Sequence, residues 1–210
     1  MALDQESSLR SEKKRRTRAL ILENAIALFR RSGIRSTRTL EIARASHVSP
    51  ATLFNYFSTK QELVEAWVRG EIAALLDDIV ATRPDRAIRP RLRSLCAPLA
   101  ASSCEEPALR LEAWRSTARA HPPDSRVALS LERLIRGEQE RGRLRSDLPA
   151  SALASALLES IEGGLIAGLR ASHRPVEVAA TLRARVDLVL DGARKRNERV
   201  TPPHRAQNSR

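Results

Sequence analysis

Aromatic residues are nearly missing from this 210-residue chain: Phe, Trp and Tyr together make up 3% of it. Its core must therefore be built from Leu, Ala, Val and Ile, and that mixture, with few β-branched runs, favours helices over sheets. Cysteine is scarce as well. Cys96 and Cys104 have no metal-like companions and no secretory context, so they are expected as reduced thiols, not as a disulfide scaffold. No apolar stretch approaches the roughly 20 residues needed to span a bilayer, and Met1–Arg18 is too polar for a signal peptide. A cytoplasmic protein with no membrane partner is expected. Catalytic equipment is missing too, with no nucleophile–base pair, Gly-rich phosphate loop or clustered metal ligands. His121, His173 and His204 are isolated, and Glu105-Glu106 runs into a proline. The chain is not expected to be an enzyme, and nothing in it calls for a cofactor or a metal.

What the chain does have is positive charge, a net +12, and its location matters more than its size. Residues 1–64 carry 12 Lys/Arg against 6 Asp/Glu, residues 194–210 carry 6 against 1, and the body between them is almost neutral. Basic ends on a neutral body point to a polyanion-binding module at one end. The C-terminal excess also fits a disordered, solubilising tail.

The pattern is helical from about Glu12, where Ile21, Ala25, Leu28 and Phe29 fall at i, i+4, i+7, i+8, and Gly33 after Arg30-Arg31 is a C-terminal signal. Thr37 is a good N-cap for a short second helix carrying Leu40, Ile42 and Ala43. Ser49-Pro50 opens a third, and a fourth runs from near Thr59 to before Arg83-Pro84. Further helices are expected over Arg86–Ser103 (broken or bent at Pro90 and Pro98), Pro107–Ala120, Asp124–Arg141, Pro149–Ser172 and Pro175–Arg196. No strand is expected, and the fold class is all-α.

The second and third helices have the form of a helix-turn-helix at 38–57, with Ile42, Ala43, Val48, Leu53 and Phe57 inside. Pro50, Ala51, Thr52, Asn55 and Tyr56 then lie outside, where the small residues permit close approach to DNA. Thr52 and Asn55 are of the type that reads base edges, Tyr56 suits a phosphate, and Lys60 can clamp the DNA backbone. From Arg15 to about Glu71 the chain resembles the TetR-family DNA-binding domain. The likeness runs through Ala25-Ile26-Ala27-Leu28-Phe29, Gly33, Thr37, Ile42-Ala43, Val48-Ser49, Thr52-Leu53-Phe54-Asn55-Tyr56-Phe57 and Lys60-Gln61-Glu62-Leu63. The resemblance implies phosphate contacts from Thr37 and Lys60, and groove-facing positions for Thr39, Pro50, Ala51, Thr52, Asn55 and Tyr56. Three departures stand out: Ser46-His47 where the family has Ala-Gly in the turn, Phe54 for a usual tyrosine, and the pair Thr39-Leu40 with polarity reversed. Histidine tolerates the left-handed backbone such a turn requires, and no second ligand at suitable spacing makes His47 a metal site.

The resemblance further implies a C-terminal ligand-binding and dimerisation domain. The expected organisation is a flexible basic arm at 1–14, the DNA-binding domain at 15–75, the ligand and dimer domain at 76–197 and a disordered tail at 198–210. Leu157, Ile161, Leu165, Gly164 and Gly168 on one helix, with Leu182, Val186 and Val189 on the next, form ridges suited to a homodimeric four-helix bundle. Purely internal packing is the alternative. Leu109–Pro122 and Glu159–Leu169 are weakly similar to choline-responsive regulators of the family, which names no ligand here. Candidate lining residues are Trp67, Cys96, Cys104, Arg110, Trp114, Glu159 and Glu162, with ordinary core packing the competing reading for Trp114. The expected function is a repressor released from a palindromic double-stranded operator by a small-molecule effector. The alternative is a ligand-independent DNA-binding regulator or activator whose body serves only dimerisation.

Overall fold

Nine helices account for nearly all of the described residues in this computed structural model, which are 2–82, 86–117 and 126–194; among them no strand occurs, only an isolated bridge between Leu144 and Arg194. The helices are α1 (Ala2–Ser32), α2 (Thr39–Ala45), α3 (Pro50–Tyr56), α4 (Lys60–Thr82), α5 (Ile88–Glu105), α6 (Pro107–Thr117), α7 (Arg126–Glu140), α8 (Ala150–Ala171) and α9 (Pro175–Gly192). Helix α1 packs against α2 and α4, α3 packs against α2, and α4 also packs against α5, α6 and α7 of the body that α8 and α9 complete.

The N-terminal arm is the first correction. Residues 2–14 were expected to be flexible, yet they are the opening turns of α1, and Glu12 supports them by bonding Arg15 and Arg16 at i+3 and i+4. At its other end α1 stops where expected: the Gly33 N–H reaches the Phe29 carbonyl at 2.8 Å, and Gly33 sits at φ +80°. The tail at 198–210 lies outside the described residues, as do 118–125.

Between α2 and α3 the chain makes a six-to-one turn. The Val48 N–H donates to the Ala43 carbonyl at 3.0 Å and the His47 N–H to that of Arg44 at 3.1 Å, with His47 at φ +53°. This is the Schellman arrangement, and it requires a left-handed residue at the position His47 occupies. Ser46 beside it is 1% exposed, and its hydroxyl has no partner.

Of the break or bend expected at Pro90 and Pro98, no break occurs: α5 is continuous. Pro90 lies in the first turn of α5, where an N–H has no intrahelical acceptor, and Pro98 is accommodated inside. The apolar face carrying Leu92, Leu95, Leu99 and Ala100 is fully buried, and α5 lies along α9. Arg89 and Arg93 reinforce that contact by holding Asp187, at 2.7 and 2.8 Å.

Helices α8 and α9 require the largest correction. Leu157, Ile161, Gly164, Leu165, Gly168, Leu182 and Val186, expected at the dimer interface, are buried within one chain; only Val189 is half-buried. The small residues bring α9 onto α8 instead of a second subunit. A Cβ on Gly168 would lie 3.0 Å from Val178 Cγ1 and 3.2 Å from its Cα, and one on Gly164 would lie 3.0 Å from Leu182 Cδ2. Helix α8 is also long and apolar enough, by length and composition alone, to cross a membrane, against the expectation that no apolar stretch approaches that span. Here its leucines and Ile161 are core, and Ile166 is half-buried against it.

The turn generates a stability prediction. Replacing Ser46 by Ala removes a buried hydroxyl without a partner, and replacing His47 by Gly relieves a left-handed residue. The double variant Ser46→Ala/His47→Gly should gain on the order of 1 kcal/mol in urea unfolding; a loss of stability would contradict this account of the turn.

Candidate nucleic-acid interface

Helix α3 owes its position to its ends. The Ser49 hydroxyl accepts the Thr52 N–H at 3.0 Å, Pro50 follows at the first helical position, and Leu53 and Phe57, 1% and 0% exposed, anchor one side in the core. The Arg18 guanidinium lies 4.4 Å over the Phe57 ring and ties α1 to the end of α3. The opposite side then faces solvent, with Pro50, Ala51, Phe54 and Asn55 exposed. Thr52 and Tyr56 are half-buried, and the Thr52 hydroxyl shares a hydrogen with that of Ser49 at 2.8 Å. The facing of α2 is also resolved: Thr39 is half-buried and Leu40 is 51% exposed, so Leu40 is not part of the core. Arg38 and Arg44 are exposed at the two ends of α2, and Arg10, Lys13, Lys14, Arg15, Arg16 and Arg18 are exposed along α1. The N-terminal charge surplus by itself does not say which face carries these cations.

Two residues expected on phosphates are used inside the domain. Thr37 is 1% exposed, and its hydroxyl donates towards the carbonyls of Gly33 at 2.8 Å and Leu28 at 3.3 Å. It does not cap α2 either: the cap residue is Arg38, whose N–H is held by the Glu41 carboxylate at 3.1 Å. The Lys60 ammonium donates to the carbonyls of Ile34, Arg35 and Thr37, at 2.8, 3.1 and 3.1 Å, which occupies all three of its hydrogens. Its role in this structure is to fasten the α1–α2 loop to the start of α4.

The candidate ligand residues do not form one site. Trp67, 4% exposed, lies under the Arg110 guanidinium at 4.4 Å and 6.3 Å from the Phe29 ring centroid. Arg110 bonds Glu71 at 2.6 Å and Ser102 at 3.0 Å, and Trp114 follows one turn along α6, fully buried. Glu162 belongs to a separate buried group, where it holds Arg69 at 3.2 Å. Glu159 is exposed, so its assignment to an enclosed pocket is withdrawn. Cys96 lies apart on α5, near Arg183 and Asp187, and burial pushes its thiol up to about 11. Burial raises the half-buried Cys104 thiol as well. Both therefore stay protonated and are poor nucleophiles at neutral pH. None of the seven lines the cleft of about 360 Å³ that opens between α4 and α5.

Lys60 provides a test of its role. A phosphate clamp removed by Lys60→Ala would lower the salt slope of DNA binding by about one. A loop fastener would leave the slope unchanged and cost about 1–3 kcal/mol of stability, as for a hydrogen-bonded charge. The geometry predicts the second outcome, measured by denaturant unfolding and a salt titration of DNA affinity.

Residues 21–67 match the family model described as bacterial regulatory proteins of the tetR family. The HTH-type transcriptional regulator YvkB of Bacillus subtilis is 48% identical over 52 residues, a stretch covering 25% of this chain and only 28% of that protein. Similarity to the HTH-type transcriptional regulator TcmR of Streptomyces glaucescens is 28% over 186 residues, covering 86% of this chain and 80% of that one. Among solved structures, FadR of Thermus thermophilus, described as a TetR-family repressor in complex with lauroyl-CoA, superposes with a TM-score of 0.66 at 24% identity, covering 86% and 96% of the two chains. A TetR regulator from Rhodococcus sp. RHA1 gives 0.60 at 18% identity, covering 84% and 96%. At these identities the structural likeness speaks for the fold; with the matched helix-turn-helix domain and the regulator names of both sequence relatives, it identifies this chain as a TetR-family transcriptional regulator.

Proposed function

We propose that the chain is a repressor that binds a palindromic operator as a homodimer and leaves it when a small molecule binds the helical body. The observation that carries the reading is the two-sided α3, anchored by Leu53 and Phe57 with Pro50, Ala51 and Asn55 on its free side. Asn55 is the residue to pair with adenine, Thr39, Thr52 and Tyr56 make shorter-range contacts, and the exposed basic residues of α1 and α2 supply the phosphate attraction. The DNA-binding unit is residues 15–75 and the effector and dimer unit 76–197, with α4 crossing the boundary between them.

The dimer forms through the surface that α8 and α9 leave open. Val176, Ala180, Ala184 and Leu188 recur every four residues on α9 and are all exposed, Val176 by 75% and Leu188 by 73%. Ala152 and Ala156 are exposed on the neighbouring α8. Small residues around two large apolar ones suit close helix packing across a two-fold axis. A dimer places its two recognition helices about 34 Å apart, one turn of DNA.

Release runs through α4. Its Gln61 side chain donates to the Ser116 carbonyl and Arg69 to that of Thr117 at 3.2 Å, so α4 holds the end of α6. The Arg30–Glu106 ion pair at 2.8 Å fastens the first helix to the α5–α6 junction. A ligand that shifts these helices moves Lys60 and the loop it holds, provided it binds the released arrangement more tightly. The lauroyl-CoA named for the Thermus protein supports a ligand-bearing body of this shape.

The test is binding of the full chain to DNA selected from a random pool, against unselected DNA, across a salt series. Asn55→Ala should cost about 1–3 kcal/mol on the selected sequence and little on random DNA; equal affinity for both DNAs ends the repressor reading. Leu188→Glu should sediment as a folded monomer with weakened operator binding, and a Leu188→Glu protein that remains dimeric places the interface elsewhere.

A further inference from the structure

We infer that the cleft between α4 and α5 is an effector site for small carboxylates with an apolar body. This rests on the effector-released reading above and adds the site and its ligand chemistry. The cleft, of about 360 Å³, is lined on α4 by Leu75, Asp78 and Ile79, and on the other side by Arg86 and by Pro90, Arg91, Ser94 and Pro98 of α5. Its size suits a compact organic molecule, and Leu75, Ile79 and the two prolines provide the apolar walls.

Arg91 gives the cleft its preference. It is 6% exposed, and its Nη2 donates to the Ile79 carbonyl at 3.2 Å, while its Nε has no partner. A cation this deeply buried is normally matched by a carboxylate with its remaining donors bonded. Glu138, whose charge acts on Arg91, is already committed elsewhere. Glu138 bonds Arg143 through both carboxylate oxygens, accepts the Ile88 N–H at 3.4 Å and has Arg141 at 3.7 Å. The guanidinium pKa is pulled down by burial, which Glu138 only partly offsets. Among the described residues of this junction, Arg86, Arg91, Arg141 and Arg143 stand against Asp78 and Glu138, an excess of positive charge. Arg91 also lies in the first turn of the 18-residue α5, where the helix dipole adds to that excess. A ligand carboxylate supplies the missing negative charge, and its apolar body lies between Leu75, Ile79 and Pro98.

Placement of this cleft also accounts for regulation. One wall is the second half of α4, whose first residue, Lys60, holds the α1–α2 loop. Occupancy that changes the spacing of α4 and α5 is therefore felt at the helix-turn-helix.

The experiment is calorimetric titration of the full-length protein with phenylacetate and octanoate, each against its neutral amide. At least one carboxylate should bind saturably and at least about tenfold more tightly than its amide, the discrimination expected of a buried charge-assisted contact. Arg91→Leu should abolish that difference. Since Arg91 also bonds the end of α4, Ser94→Phe provides a variant that fills the cleft and keeps the arginine; with an unchanged unfolding midpoint it should lose binding as well. Absence of binding by both carboxylates, equal binding of acid and amide, or full binding by Ser94→Phe overturns the proposal. A carboxylate that binds with this pattern but leaves operator affinity unchanged supports the site and counts against release by effector. An unrelated compound that releases DNA from Ser94→Phe as readily as from the parent protein shows release without this cleft.

Discussion

Three hydrogen bonds from one ammonium hold the start of α4 to the loop that leads into α2. Lys60 opens α4, and its donors reach the carbonyls of Ile34, Arg35 and Thr37 in the loop that positions α2. Those carbonyls follow the end of α1 and have no helix to satisfy them, so a flexible side chain ending in three donors is the efficient solution. Because the 23-residue α4 runs from this loop into the body, a tilt of α4 would carry that loop along. The same constraint explains why Thr37 turns inward: its hydroxyl closes the loop from the other side, onto Gly33 and Leu28.

The body around α4 is unusual in how much charge it buries. Arg69 with Glu162, Arg110 with Glu71, and Glu138 with Arg143 all lie in or at the edge of the core, and Arg91 joins them. Such pairs add little net stability, because desolvation consumes most of the Coulomb attraction, but breaking one leaves a charge uncompensated. They fix which helices lie side by side. Arg69 registers α4 against α6 and α8, and Arg89 with Arg93 registers α5 against α9. With aromatics so sparse, small apolar side chains alone specify such packing weakly, and directional polar contacts add the missing specificity.

Much of the helix-turn-helix was legible in the sequence, because its signals are local. Ser49-Pro50 starts α3, Gly33 ends α1, and the left-handed turn at His47 follows from a position that family resemblance marks as glycine. The inward set Ile42, Ala43, Leu53 and Phe57 was equally readable from spacing. Polar side chains were not. Thr37 and Lys60 look like phosphate contacts until the loop carbonyls they satisfy are placed beside them. The ridge of Gly164 and Gly168 marks a close helix contact in either reading, and spacing alone is silent on whether the partner is α9 or another subunit.

By itself, then, the sequence determined the helical class, the order and approximate limits of the helices and the recognition motif. Each depends on residues within one or two turns of one another, through capping, periodicity and turn chemistry. Tertiary structure alone decided that Lys60 binds protein, that the expected dimer ridge is core, that Glu159 stands in solvent and that Arg91 borders a cleft. These outcomes depend on groups that lie far apart in the chain and meet only when it folds. A polar group's role is set by whichever acceptor or charge the fold brings to it, and one-dimensional spacing carries no record of that.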